Sequence, residues 1–175
     1  MTVLEVLGIL WRRRVLTLLG AAATVVALSV VATRPVVYWS QANVIFLQPT
    51  TQQKPNSLTS TSGGLISMAG YVEQVVNAGT RKPPTASNVS LLARGVRDGY
   101  SIELPDNGGQ WSHNFEQALL NVQVTGPSEG VVRERRDQIV EKIRATARDL
   151  QTSAHVTDES VVRTEVSPAA PSVGA

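Results

Sequence analysis

From Val15 to Thr33 the chain reads VLTLLGAAATVVALSVVAT, nineteen residues without a charge, directly behind Arg12, Arg13 and Arg14. A helix of that length rises about 28 Å, close to the hydrocarbon thickness of a bilayer. Beyond it, Arg34 is the one basic residue before Lys54. By the positive-inside bias, the expectation is a single-pass helix at residues 15–33, with residues 1–14 in the cytoplasm and 34–175 outside the plasma membrane. Within the run, Gly20, Ala23, Thr24 and Ala27 make a stripe of small residues, a candidate face for helix–helix contact in lipid. Trp11 on one side, and Tyr38 and Trp39 on the other, suit aromatic belts at headgroup depth. Trp39 suits the core of a following strand equally well. A cleaved signal peptide is the alternative reading. Val30 and Ala32 fit the small-residue pattern before a cleavage site, and Arg12–Leu16 loosely matches a twin-arginine signal, but the apolar run exceeds the usual length of about 7–15 residues.

The rest of the chain is long enough for one domain with its own core. Residues 1–33 carry three Arg against Glu5, whereas residues 34–175 carry thirteen basic and thirteen acidic side chains. The basic pI near 9.3 therefore comes mainly from the flanking arginines. No basic stripe remains outside them, which argues against a nucleic-acid partner. Cysteine is absent, which excludes disulfides, thiolate catalysis and Cys-type zinc sites and suits an exported domain held by packing alone. Arginine outnumbers lysine thirteen to three, a compositional hint of a GC-rich bacterial genome.

Thr2 and Glu5 have capping-box spacing and open a short helix over residues 2–11. Arg34-Pro35 ends the apolar helix, and Val36–Leu47 reads as a strand rich in β-branched and aromatic residues. Gln48–Gly64 is a polar loop. Leu65–Ala78 returns to helical spacing through Leu65, Met68, Val72, Val75 and Val76. Ser87–Ala93 is read as a second short helix, Tyr100–Leu104 as a short strand, and Asp106–Gly109 as a turn. Ala118–Thr125 is a further strand. Pro127 suits a helix start, and from Ser128 to about Ala154 an apolar stripe (Val132, Ile139, Ile143, Ala147, Leu150) opposes a charged face (Arg133, Glu134, Asp137, Glu141, Lys142, Arg144, Arg148). Val161–Val166 is a closing strand, and 167–175 is a Pro/Ala-rich tail. The order predicts an α+β domain over residues 34–166, with about four strands and two helices on one sheet face. Pairing of its first and last strands would return both ends to one place.

Catalytic patterns are absent. His113 and His155 lack metal-pair spacing, and no serine has a G-x-S-x-G or S-x-x-K setting. Gly63-Gly64 and Gly108-Gly109 read as turns rather than phosphate cradles. Asp98/Glu103 and Glu129/Glu134 read as solvated carboxylates. Asn88-Val89-Ser90 matches a glycosylation acceptor, a pattern common by chance. No enzyme activity, cofactor or metal is expected.

Leu4-Glu5-Val6-Leu7, Leu10-Trp11-Arg12-Arg13-Arg14, the apolar run, and then Pro35 with Tyr38-Trp39-Ser40-Gln41-Ala42-Asn43-Val44 together resemble the N-terminus of Wzz-type chain-length determinants, the polysaccharide co-polymerases. Val122–Ser128 leading into a long helix is similar to the family's strand–turn–helix. The closing strand with Pro168 and Pro171 is similar to its approach to a second membrane helix, although no second span is read before Ala175. The resemblance implies a non-catalytic homo-oligomer anchored in the lipid bilayer beside a glycan polymerase or export machinery, influencing polymer length. The alternative is an anchored protein-interaction module unrelated to glycan, with the polar Gln48–Gly64 loop as its contact.

Overall fold

The computed structural model describes residues 13–33, 35–50, 56, 62–78, 89–109 and 111–174, without the side chains of residues 31 and 32. The expected helix over 2–11, the arginine Arg12, Trp11, Arg34 and most of the Gln48–Gly64 loop lie outside the described residues. Two compact units are distinguished, Met1–Val36 and Val37–Ala175.

Among its described residues the first unit holds one helix, α1, Arg14–Ala32. Its described side chains project outward throughout: Val15, Leu16, Leu18, Leu19, Val25, Val26 and Leu28 are 62–68% exposed. Among the described residues no helix is long and apolar enough to cross a membrane, so the N-terminal span expected from the sequence is not supported by them. The described side chains of α1 end at Val30, whereas the uncharged sequence runs on to Thr33.

The second unit is α+β. Its elements are β1 (Tyr38–Leu47), α2 (Gly63–Val76), β2 (Gly99–Glu103), β3 (Leu119–Gly126), α3 (Glu129–Ser153), β4 (Arg163–Ser167) and β5 (Val173–Gly174). Among the described residues the five strands make one antiparallel sheet in the order β2-β3-β1-β4, with β5 also on β1. Strand periodicity of two sends Ser40, Ala42, Val44 and Phe46 to one face, beside Leu120, Val122 and Val124 of β3 and Ile102 of β2. Both α2 and α3 pack on that face, as expected. α2 contributes Leu65, Ala69, Val72 and Val76, and α3 contributes Val132, Ile139, Val140, Ile143 and Ala147. Each large side chain so buried stabilises by roughly 1.5–3 kcal/mol.

The helix ends follow local chemistry. Ser62 Oγ accepts from Leu65 N and Ser128 Oγ from Val131 N, satisfying donors that the first turn leaves open. Gly63-Gly64 therefore opens α2 instead of forming the expected turn, and Pro127 stands just outside α3 because Ser128 takes the cap. α3 ends in a Schellman arrangement: His155, at φ 55°, donates to Thr152 O, and Val156 donates to Gln151 O. Lys142 Nζ donates to Val76 O at 3.0 Å, tying α3 to the carbonyl end of α2.

Two further expectations change. The short helix expected over 87–93 is a turn across Leu91–Gly95 in its described part. The cause is tertiary: Gln123 Oε1 on the sheet takes the Leu91 N–H at 2.9 Å. The Pro/Ala tail is part of the sheet, for β5 pairs Trp39 with Gly174 and Ser40 with Val173. The chain thus enters at Tyr38 and reaches Gly174 side by side.

Candidate functional site

The residues nominated by sequence do not converge on one site. Arg13 and Arg14 stand exposed at the start of α1. Gly20, Ala23, Thr24 and Ala27 share one side of that helix at offsets of three, four and seven. Thr24 Oγ1 turns back to donate to Gly20 O at 2.9 Å, which leaves the stripe without an outward polar group at that position. Trp39 lies on the open face of the sheet, 40% exposed. A Cβ added at Gly174 would stand 2.7 Å from Trp39 Nε1, so the indole covers a position that only glycine leaves open.

The carboxylates named from sequence go separate ways. Glu103 takes Arg94 at 2.9 and 3.2 Å, Asp98 takes Arg135, and Glu129 takes Arg133. Glu134 instead accepts from the Gln138 amide at 3.1 Å. Among the described residues no three of His, Cys, Asp and Glu stand close enough to hold a metal ion.

Three features escaped the sequence. The first is a clamp at the entry and exit of the domain. Arg136 projects from the apolar side of α3 and is only 6% exposed. Its Nη1 donates to Ser40 Oγ at 3.2 Å and to Pro171 O at 2.9 Å, while Nε and Nη2 meet Asp137 Oδ1 at 2.9 and 2.8 Å. Ser40 Oγ donates in turn to Ser172 O at 2.8 Å. One guanidinium thus fastens α3, β1 and the segment before β5. The only trace in the sequence is position: Val132, Arg136, Ile139 and Ile143 fall on one helical stripe.

The second feature is the open face. Asn43, Asn121 and Gln123 form a row of amides across β1 and β3, linked at 2.9 and 3.1 Å. Toward the Thr125 end, the 89–95 segment leaves a cleft of about 180 Å³ lined by Trp39, Leu91, Leu92, Gln123 and Thr125 among others. Its walls are mainly apolar.

The third is the loop between β2 and β3. Asp106 Oδ1 accepts from Gly108 N and Asn114 N at 2.8 Å each, and Asp106 Oδ2 meets His113 Nδ1 at 2.5 Å. Asn107 N donates to Asn114 O at 2.9 Å. His113 stacks on Phe115 with ring centroids 5.9 Å apart. A Cβ at Gly108 would fall 2.0 Å from Ser112 O, so the turn admits no side chain there. From this closed loop Trp111 projects, 92% exposed.

The hydrogen bonds from His113, Asn114 and Gly108 hold the Asp106 carboxyl down at about 2, below its usual 3.8. A depressed carboxylate stabilises the folded loop above its unfolded value and ceases to do so as pH falls through its folded value. The loop should therefore stay closed at pH 4–5 and open between about pH 4 and 2. Amide exchange at Gly108 and Asn114, taken relative to the intrinsic rate at each pH, reads this: both should lose protection in that window in the native protein and at all pH values in Asp106→Ala. Equal protection in native and Asp106→Ala chains at pH 5 would contradict the assignment.

No protein-family model, no curated protein and no solved structure matches this chain.

Proposed function

We propose that this chain is a non-catalytic, membrane-anchored protein of bacterial cell-surface polysaccharide assembly, which oligomerises beside a glycan polymerase and influences polymer length or export. The observation that carries the reading is α1. Its side chains Val15, Leu16, Leu18, Leu19, Val25, Val26 and Leu28 are 62–68% exposed on a helix of nineteen residues. What supports an anchor is the sequence there, an uncharged run from Val15 to Thr33 behind three arginines, whose apolar surface suits lipid or partner helices. In this reading the positive-inside bias of Arg12, Arg13 and Arg14 favours a cytoplasmic N-terminal end, with residues 34–175 outside. The residues before and after α1, and the strand–turn–helix from β3 into α3, carry the likeness to chain-length determinants. The paired entry and exit of the α+β unit agree with it.

Two measurements test the reading together. Carbonate extraction should leave the intact chain in the membrane pellet, with its N-terminus ahead of Thr33. Deleting the gene should shift the size distribution of the surface polymer. Release by carbonate, or a mature chain beginning at Thr33, overturns the anchor; an unchanged polymer profile overturns the glycan role.

A second reading keeps the anchor and drops the glycan: an interaction module that presents a surface to a protein partner. The exposed Trp111 and the apolar cleft favour it, because both are built for contact with side chains. Under this reading the deletion leaves polymer length unchanged.

A further inference from the structure

A tryptophan 92% exposed on a loop this tightly closed is not a side chain waiting for the core. The loop's own hydrogen bonds hold its backbone at Asp106, Asn107, Gly108 and Asn114 before any partner arrives, so little backbone ordering entropy remains to be lost on contact. Buried indoles are also strong anchors at interfaces. The same molecule carries a receptor of matching size. A cavity of about 150 Å³ holds benzene, and the open-face cleft, about 180 Å³, takes the six-membered ring of an indole with the five-membered ring at its mouth. Its walls include Trp39 and Leu92, 40% and 39% exposed, giving ring and alkyl surface against which an indole packs. Ser90 Oγ and Gln123 Oε1 lie at the cleft, and each accepts one N–H already, from Ala93 and Leu91. Each oxygen has a second lone pair for the indole N–H.

Knob and cleft cannot meet within one chain. The loop joins β2 to the Leu119 end of β3, whereas the cleft lies toward Thr125, and the eight residues of β3 span about 25 Å. We propose that Trp111 of one copy seats in the Trp39–Leu92 cleft of the next, a head-to-tail contact between identical chains. Such a contact repeats, closing into a ring or running on as a filament according to the rotation at each step. Carboxylates flank the knob at Asp106 and Glu116, which disfavours an anionic lipid surface as the occupant's destination. The inference deepens the oligomer in the function proposed above, yet it uses only residues of the α+β unit.

The native chain has no cysteine, so introduced thiols report one contact at a time. The full chain in its own membranes is oxidised mildly as Trp111→Cys, as Leu92→Cys, and as the double variant. The double variant should give a ladder of disulfide-linked multimers, the two single variants co-expressed should give dimers only, and each single variant alone should stay monomeric. Trp111→Ala, at a position whose exposure spares the fold, should lower the mass seen by blue-native electrophoresis. A monomeric double variant overturns the contact. So do dimers of Trp111→Cys alone, which mean tip-to-tip association, and an unchanged mass for Trp111→Ala. If native chains assemble but Trp111→Ala assembles equally, this contact fails and the oligomer stands; if native chains run as monomers, both fail. Neither result bears on the polymer profile of the deletion strain.

Discussion

Ile143→Ala should lower the unfolding free energy of the α+β unit by about 3–4 kcal/mol. Ile143 is fully buried on α3, within the cluster that contains Val72 and Val76 of α2 and Val44 and Val122 of the sheet. Truncation removes the transfer free energy of the deleted carbons and leaves a void that the surrounding layers fill only in part, which places aliphatic-to-alanine changes at about 2–5 kcal/mol. The middle of that range, not its lower end, applies because the void would sit between two helices and a sheet, each held by other anchors: Lys142 on the Val76 carbonyl, the Ser62 and Ser128 caps, and the ladder of β1 with β3. Urea unfolding of the detergent-solubilised chain, followed by far-ultraviolet circular dichroism, measures the change. A loss under 1 kcal/mol would mean that α3 does not pack on the sheet as described. Ile143→Val, which removes one methylene, should cost about 1 kcal/mol on the same assay.

The second large effect is at Arg136. Arg136→Ala should destabilise by about 2–4 kcal/mol and should loosen the segment before β5 selectively. Hydrogen bonds from a charged donor contribute about 1.5–3 kcal/mol, and a buried acceptor left without its donor adds a cost of its own. Pro171 O, which is part-buried, loses its donor and bears only part of that cost, whereas Ser40 Oγ keeps its bond to Ser172 O. Asp137 is 61% exposed at its side chain and turns to water. Arg136→Met separates packing from hydrogen bonding, since it restores the aliphatic stem without the guanidinium. It should recover part of the free energy but not the order of the segment. Amide exchange at Val173 and Gly174 reads that order, with Leu120 and Val122 in the central strand as internal controls. Uniform acceleration across all four amides would mean that Arg136 supports the whole fold rather than the clamp.

Much of this architecture was legible because its signals are local and repeated. α3 carried a serine cap and an apolar stripe over several turns, and the structure bounds it at Glu129–Ser153, one residue inside each expected end. β1 was rich in β-branched and aromatic residues, β3 alternated in its second half, and their bounds moved by only one or two residues. The errors fell where a distant group decides a local conformation. Ser87–Ala93 has helix-compatible residues, but the Gln123 amide captures the Leu91 N–H and the described part turns instead. β5 is two residues long, too short for any period, and its place depends on Trp39, Ser40 and Arg136. Arg136 itself looks like one more surface arginine in Arg133-Glu134-Arg135-Arg136, and only its position on the stripe sets it apart. Trp111 was hidden by its neighbours: a turn signal reveals a bend but not which side chain the bend displays.

The meeting of Tyr38–Ser40 with Val173–Gly174 has a mechanical meaning. Because the two segments run antiparallel, one beginning where the other ends, tension applied to the chain at both places would peel their rungs apart in succession instead of shearing them all at once. The body would then yield first along this seam, at modest force, while the central strands kept their registration.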